Sequence, residues 1–490
     1  MNSNKLFSLL FLISIVLLTA CGNSKLPDDS LKQVPKDVSS ITAFNLNQLM
    51  QKADYDYIKE LDFFQNGISE LRMDEPAMAA IMEDPFASGV DLTKNAYFVM
   101  DVDANDPSNK QFGALVFSIK DSKTFRSMLS DISMKDITNH EGYNKLSFDR
   151  DGLIAWNEDF GIIAGATSNM DIDNYLNNYF DKDRKTSVAD NNDLVKCLSK
   201  NYDIATWISS DKLSTNPSLK TAANFMGISS EALSGNHFHS YFNFEEGAIV
   251  GTSDHYLKKE LTNDLKLFFK NGVKTDLSKY IPAENLGFAF SAALDAKGIY
   301  QIINEKAGGI TTVNAGLKKY GFTSKDVAEA FGGDMVVAVY DNPQNRKEPT
   351  GLMTATIGDQ KLFKQFIDLG VQFELLTMEG ENLYRVKKGL DDIRNFYLLI
   401  QDDVFFVTNG STLLETLEGG SFATTDRIDN DLYDALTDNA FGGLVDFNFL
   451  KSIEKDFMNF PFEKGTFNAG LESSEMRLDM KNKKTNSLKA

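Results

Sequence analysis

Gly113-Ala-Leu-Val-Phe-Ser-Ile-Lys-Asp-Ser-Lys-Thr-Phe125 returns 238 positions later as Gly351-Leu-Met-Thr-Ala-Thr-Ile-Gly-Asp-Gln-Lys-Leu-Phe363. Extended without gaps over 113–144 and 351–382, eight of 32 positions are identical: Gly113/Gly351, Ile119/Ile357, Asp121/Asp359, Lys123/Lys361, Phe125/Phe363, Glu141/Glu379, Gly142/Gly380 and Asn144/Asn382. Chance at ordinary residue frequencies gives about two. A period this long reads as domain duplication rather than as a solenoid, whose repeats run to ~20–50 residues. Both stretches follow one local grammar. An apolar, strand-like run ends near an Asp, and a helix with a one-sided apolar face follows: Phe125, Met128 and Leu129 after Asp121, Phe363, Phe366 and Ile367 after Asp359. An Asp at that position accepts from the first free amides of a helix, so its recurrence has a structural reason.

Outward from this unit, Val34-Pro35 precedes a strand-like Ile-Thr-Ala-Phe-Asn-Leu, and Ile281-Pro282 precedes Leu-Gly-Phe-Ala-Phe-Ser. Residues 152–166 read as a hairpin turning at Asn157-Glu158-Asp159, and Gln401-Asp402-Asp403 is the matching turn. Each copy reads as a strand, several helices, two strands, a helix, three strands, helices and further strands. Hairpins and neighbouring helices without alternating βαβ units indicate α+β architecture, here a tandem duplication of an antiparallel-sheet-plus-helices unit. The expected division is copy one at 34–279, copy two at 280–480 and a disordered tail at 481–490.

At the N-terminus, Lys5 precedes the 13-residue, mostly apolar run Leu6 to Leu18. As a helix it spans about 20 Å, short of a ~30 Å hydrocarbon core, and so matches a signal-peptide core. Leu18-Thr19-Ala20-Cys21 resembles a bacterial lipobox. The resemblance implies a signal peptide at 1–20, cleavage before Cys21 and diacylglycerol on its sulfur. Residues 21–33 then read as a lipidated, flexible tether. Gly22 stands where an inner-membrane retention Asp would, which by resemblance favours the outer membrane. Lys25 with Asp28-Asp29 resembles the surface-export signals of some Bacteroidota lipoproteins, so both the periplasmic and the outward face stay open. With Cys21 lipidated, only Cys197 remains and no intramolecular disulfide can form. Its helical setting, Asp193 to Ser199, reads as a small buried hydrophobe.

The lipobox, the Pro-led first strand and the duplicated strand–Asp-cap–helix unit together resemble an uncharacterised family of Bacteroidota lipoproteins, a domain of unknown function. The resemblance covers nearly the whole mature chain and implies no catalytic residue.

Composition narrows the remaining classes. The chain has 490 residues, 42% of them apolar and 24% charged, which excludes global disorder and a polytopic membrane protein. A net charge of −20 repels phosphate backbones, so no nucleic-acid partner is expected. The 37 Phe have no polar handle and read as core filling.

Individual motifs are weak. His237 and His239 share a strand face with Tyr241, Asn243 and Glu245, which reads as solvated, against an apolar face of Phe238, Phe242 and Phe244. No third metal ligand is placed. Asp101-Val-Asp103-Ala-Asn105-Asp106 imitates a calcium loop, but Asp106 and Phe112 stand where Gly and Glu are needed. Ser209-Ser-Asp-Lys212 and Ser452-Ile-Glu-Lys455 fit S-x-x-K without its companion motifs. Gly332-Gly333 and Gly442-Gly443 read as helix terminators, and Trp156 and Trp207 as core. The expectation is therefore no catalytic residue, no metal ligand and no cofactor, with lipidation at Cys21 and a membrane partner through that anchor. A protein or glycan partner fits. The function read from this is a lipid-anchored envelope protein with a binding or scaffolding role. The alternatives are an envelope hydrolase using paired carboxylates, or a carrier of a hydrophobic ligand.

Overall fold

The computed structural model describes residues 28–489, except 75, 103–110, 134, 149–151, 168–170, 215–219, 222, 225–227, 274–276, 278–279, 303, 305–309, 343–347, 388–395, 420–429 and 454–459. Cys21, the segment expected to be a signal peptide, residues 21–27 of the expected tether and Asp103 to Asp106 lie outside the described residues. The chain divides into two compact units: Met1–Lys220, Leu233–Tyr256 and Lys483–Ala490 form the first, Thr221–Ala232 and Leu257–Asn482 the second.

In the first unit the strands are β1 (Ser40–Phe44), β2 (Ala96–Val102), β3 (Gln111–Ser118), β4 (Thr138–His140), β5 (Tyr143–Ser147), β6 (Gly152–Trp156), β7 (Phe160–Ala166), β8 (Ile204–Ser209), β9 (His237–Glu245) and β10 (Ala248–Tyr256). They pair antiparallel in the order β4-β5-β6-β7-β3-β2-β1-β8-β9-β10. In the second unit they are β11 (Leu286–Ala293), β12 (Phe331–Tyr340), β13 (Thr350–Ile357), β14 (Leu376–Met378), β15 (Leu383–Val386), β16 (Tyr397–Gln401), β17 (Val404–Thr408), β18 (Phe441–Asp446), β19 (Phe462–Ala469) and β20 (Ser473–Met480). Their order is β14-β15-β16-β17-β13-β12-β11-β18-β19-β20, again all antiparallel. Adding ten to each strand number of the first order produces the second. The architecture is thus α+β with antiparallel sheet. After the Asp-capped helix each unit has four strands where the sequence suggested three, because β4 and β14 are three-residue strands too short to carry a period.

Alternation along the strands feeds two cores in each unit, one on each sheet face. In the first, Ile41, Val99, Ala114, Leu153 and Ile162 meet Leu176 and Leu194 of the helices Ile172–Phe180 and Asn192–Leu198. On the opposite face Phe117, Ile154 and Trp156 meet Phe125 and Leu129 of the helix Ser122–Ile132. The second unit repeats this with Ala338, Leu352 and Phe406 against Leu414 and Leu417 on one face. Ala355 and Phe405 pack against Phe363 and Ile367 on the other. Each of the Val, Leu, Ile and Phe side chains among them contributes ~1.5–3 kcal/mol on burial. Asp121 caps its helix by accepting from the amides of Lys123 (3.0 Å) and Thr124 (3.1 Å). Asp359 caps Gln360–Gln372 by accepting from the amide of Leu362 (2.9 Å).

Four expectations are corrected. Residues 28–33 are not tether: Leu31 is fully buried in the core, and the buried Asp28 carboxylate accepts from Leu31 N–H (2.9 Å), Ser30 Oγ (2.9 Å) and the Tyr97 hydroxyl (2.7 Å). The boundary near 279 moves to 257, because Val273, Leu277 and Phe269 pack with the second unit and Lys270 N–H donates to Ala293 O at 2.9 Å. The expected tail at 481–490 is packed: from Lys483 it is held against the first unit, where Gly247 N–H donates to Thr485 O, Ser487 N–H to Glu245 O, and Lys489 Nζ reaches Asp54 at 2.6 Å. Gly332-Gly333 and Gly442-Gly443 stand inside β12 and β18, not at helix ends. Gly333 has φ +92°, and a Cβ there would lie 2.0 Å from Leu294 O, so a side chain is refused by both backbone and neighbour.

Candidate functional site

The residues singled out in the sequence are not brought together into one site. Asp101 is the penultimate residue of β2 and is bound by Lys212 Nζ and by Ser39 Oγ (3.3 Å), an ion pair and not a cation loop. Ser209 is the buried N-cap of a short helix, accepting from Asp211 N–H. Ser452 Oγ donates to Phe449 O at 2.7 Å. Lys455 lies outside the described residues. Cys197 is buried with Sγ 3.5 Å from Thr206 O, and burial pushes its thiol up to about 12, so it is an inert thiol at neutral pH. Trp156 and Trp207 are both in the core. Among the described residues no three His, Cys, Asp or Glu side chains are grouped to hold a metal ion.

The histidine strand is turned over relative to the sequence reading. β9 lies between β8 and β10, with Trp207, His239 and Asp254 in one cross-strand row and Ser209, His237 and Tyr256 in the next. Ala205, Trp207, His239 and Tyr241 on this face are buried, while Phe238, Phe242 and Phe244 opposite are half-buried. The alternation was legible, but its more apolar side is not the one that Leu194 and Cys197 cover. Tyr256 stacks on His237, ring centroids 4.7 Å apart, and lies 4.3 Å from His239. Nε2 of both histidines is buried with no hydrogen-bond partner among the described residues. Desolvation, the neighbouring His237 and Lys200 push His239 down to about 4, so it is neutral at pH 7.

The second unit holds a cavity of about 670 Å³, within the range of small-molecule sites. Sheet register assembles it. Tyr340 at the end of β12 pairs with Leu286 of β11 and Thr350 of β13, while Leu352 of β13 pairs with Thr408 of β17. Three chain segments thereby meet: Pro282 to Asn285 before β11, Tyr340 and Asp341 after β12, and the helix Ser411–Glu418 after β17. Asn285 adopts the left-handed conformation (φ 59°), and its carbonyl accepts from Asp341 N–H at 2.8 Å. Asn409 ties the helix start to β13: Oδ1 accepts from Gly351 N–H (2.7 Å) and Nδ2 donates to Pro349 O (3.2 Å).

The wall of this cavity mixes polar and apolar surface, and the helix that enters it is uncapped. The helix begins at Gly410, which has no capping side chain. A Cβ at this position would meet Thr350 Cγ2 at 2.5 Å, so a capping Ser, Thr, Asp or Asn here requires the Thr350 side chain to shift. The helical ladder starts with Leu414 N–H to Gly410 O, leaving the amides of Ser411, Thr412 and Leu413 ahead of it. In the first unit the helix following β7 is capped by Asp171, which accepts from Asn174 N–H. Tyr340 is only 4% exposed, and its hydroxyl has no partner among the described residues. Burial pushes that phenol well above its ordinary range. Asp341 Oδ1 is also buried and unpartnered.

A family model described as a domain of unknown function, DUF4836, matches residues 32–419. The chain belongs to the DUF4836 family. No curated protein matches this DUF4836 chain. Among solved structures it is similar to crystal form I of TP0453, at 12% identity and TM-score 0.28, over 48% of this chain and 81% of that one. Crystal form III of TP0453 is 10% identical at TM-score 0.28, over 49% and 87%. At these scores the likeness carries no argument about fold or function. The cavity of the DUF4836 chain escaped the sequence reading because Glu284, Tyr340, Asp341, Thr350 and Gly410 are spread over more than a hundred positions without a motif. The nearest signal is Asn409-Gly410-Ser411 before an apolar helix, where a Gly replaces the expected side-chain cap.

Proposed function

We propose that this chain is a lipid-anchored cell-envelope protein, built by tandem duplication, whose second unit binds a small polar molecule. The cavity of about 670 Å³ beside the uncapped helix carries this reading. The amides of Ser411, Thr412 and Leu413 precede the first helical hydrogen bond and offer donors at the cavity. The shared strand order and the helix-capping role of both Asp121 and Asp359 support duplication. The lipobox-like Leu18 to Cys21 supports the anchor, and Gly22 the outer membrane. Among the described residues no helix is long and apolar enough to cross a membrane.

Binding is favoured over hydrolysis by a carboxylate pair because Glu284, which lines the cavity with Asp341, is exposed to solvent. The test is a thermal-shift screen of polar small molecules against the wild type and Thr412→Trp. Thr412 is exposed at the cavity mouth, so an indole there blocks entry without disturbing the core. A class of compound that raises the melting temperature of the wild type alone supports binding. No stabilising compound, or equal stabilisation of both proteins, refutes it.

A further inference from the structure

We infer that the first unit rests on the bilayer that holds its anchor, through a cationic face of residues 28–37 and 181–187 laid against anionic lipid headgroups. The inference rests on the acyl anchor proposed above at Cys21 and adds which face of the body meets the lipid.

Chain length fixes which surface is near. The fold begins at Asp28, whose carboxylate accepts from Leu31 N–H, Ser30 Oγ and the Tyr97 hydroxyl, and Leu31 is fully buried. Only residues 22–27 separate Asp28 from Cys21. The seven Cα-to-Cα steps from Cys21 to Asp28 reach at most about 25 Å, however the segment is arranged. A unit of about 250 residues has a radius of gyration of about 18 Å and is roughly 45 Å across. To turn its far side to the bilayer, the connecting chain would have to run half-way round it, roughly 70 Å. The surface around Asp28 therefore stays nearest to the headgroups.

Charge decides whether that surface is attracted. A chain of net charge −20 is repelled as a whole by an anionic bilayer. Salt confines this repulsion to about 10 Å, so the nearest face sets the sign. Arg184 ties residues 181–187 to the start of the fold, donating to Lys32 O at 2.8 Å and to Gln33 Oε1 at 3.3 Å, and Pro35 bridges Ser187. Lys94 lies within electrostatic reach of Asp28 and Asp29. The face so assembled carries Lys32, Lys36, Lys94, Lys182, Arg184 and Lys185. Asp29, Asp37, Asp181 and Asp183 are exposed beside them, while Asp28 is turned into the core. Cations thus outnumber exposed carboxylates here, although acids outnumber bases 70 to 50 over the whole chain. Lys36, Lys182 and Lys185 are exposed and pair with no carboxylate among the described residues. So small a surplus orients a tethered unit without holding a free one, and loss of the anchor still releases the chain.

Lysine acetylation read by mass spectrometry tests this on the chain from Cys21 onward, coupled through the Cys21 thiol to a maleimide lipid in vesicles. Cys197 does not compete, because it is buried and its thiol is pushed up to about 12. On vesicles of phosphatidylcholine and phosphatidylglycerol, Lys36, Lys182 and Lys185 should react about fivefold more slowly than in the uncoupled chain, the effect of one lysine at an anionic surface. Other exposed lysines of the first unit should change less. The shielding should vanish on pure phosphatidylcholine, and in about 0.5 M salt, where the screening length is about 4 Å. Lys36→Glu with Lys185→Glu should free Lys182 at an unchanged melting temperature; should that variant unfold, the salt and lipid comparisons decide on the wild type. Full reactivity of these lysines on anionic vesicles, shielding that is equal on both lipids, or shielding spread evenly over the unit overturns the inference. Each of these leaves the acyl anchor standing, because the coupling is made chemically. The mass of Cys21 from native envelopes tests the anchor by itself, and an unacylated Cys21 overturns the anchor and this inference together.

Discussion

Replacing Leu31 with Ala probes the segment that a tether reading would leave in solvent. Leu31 is fully buried, in a short 3₁₀ turn that also holds the buried Asp28, and packs with Val34, Tyr97 and Val188. Removing three carbons there forfeits the transfer energy of a buried Leu and leaves a cavity. Measured Leu→Ala changes in such sites run to about 2–5 kcal/mol. Taking about 3 kcal/mol, and a unit of some two hundred residues, the melting temperature of the first unit should fall by about 6–12 °C. The second unit has its own core and should melt as in the wild type. Differential scanning calorimetry of the purified chain resolves the two transitions, and deletion through residue 26 serves as the control that removes only sequence before the packed segment. That deletion should leave both transitions in place, whereas deletion through residue 33 should lower the first by at least as much as Leu31→Ala. An unchanged first transition in Leu31→Ala would refute the packing of this segment and restore a tether reaching to residue 33.

Asp359→Ala should lower the stability of the second unit by about 1 kcal/mol, read from urea unfolding, and Asp121→Ala should act in the same direction on the first. His239 is pushed down to about 4 in the fold against about 6.5 unfolded, so the unfolded chain takes the proton first. Stability of the first unit should fall as pH drops from about 6.5 towards 4, and His239→Gln should flatten that slope relative to the wild type; parallel slopes would show that His239 protonates freely in the fold. The Cys197 thiol should react with a disulfide reagent only after unfolding; rapid labelling of the native chain would contradict its burial. Cys21→Ser, recovered as a cleaved protein verified by mass, should leave the membrane fraction, each buried methylene of a lost acyl chain removing about 0.8 kcal/mol of membrane affinity. A cleaved variant that stays membrane-bound would instead point to the body.

The sequence by itself determined the local grammar of this chain. Asp121 and Asp359 announce capped helices because a short carboxylate before an apolar 3.6-period run has few other uses. The hairpins β6–β7 and β16–β17 are equally legible, since alternation and a polar turn are both local signals. What depends on partners distant in the chain was decided only by tertiary structure. The side of β9 that faces the core was chosen by Trp207 and Cys197 on neighbouring elements, against the greater apolarity of its phenylalanines. Residues 28–33 read as a polar tether until Tyr97 donates to Asp28 across 69 positions and Leu31 finds its pocket. The cavity has the same origin. Tyr340, Asp341, Thr350 and Gly410 are unremarkable singly, and they converge because β11, β12, β13 and β17 are neighbours in a sheet whose order is not their order in the chain.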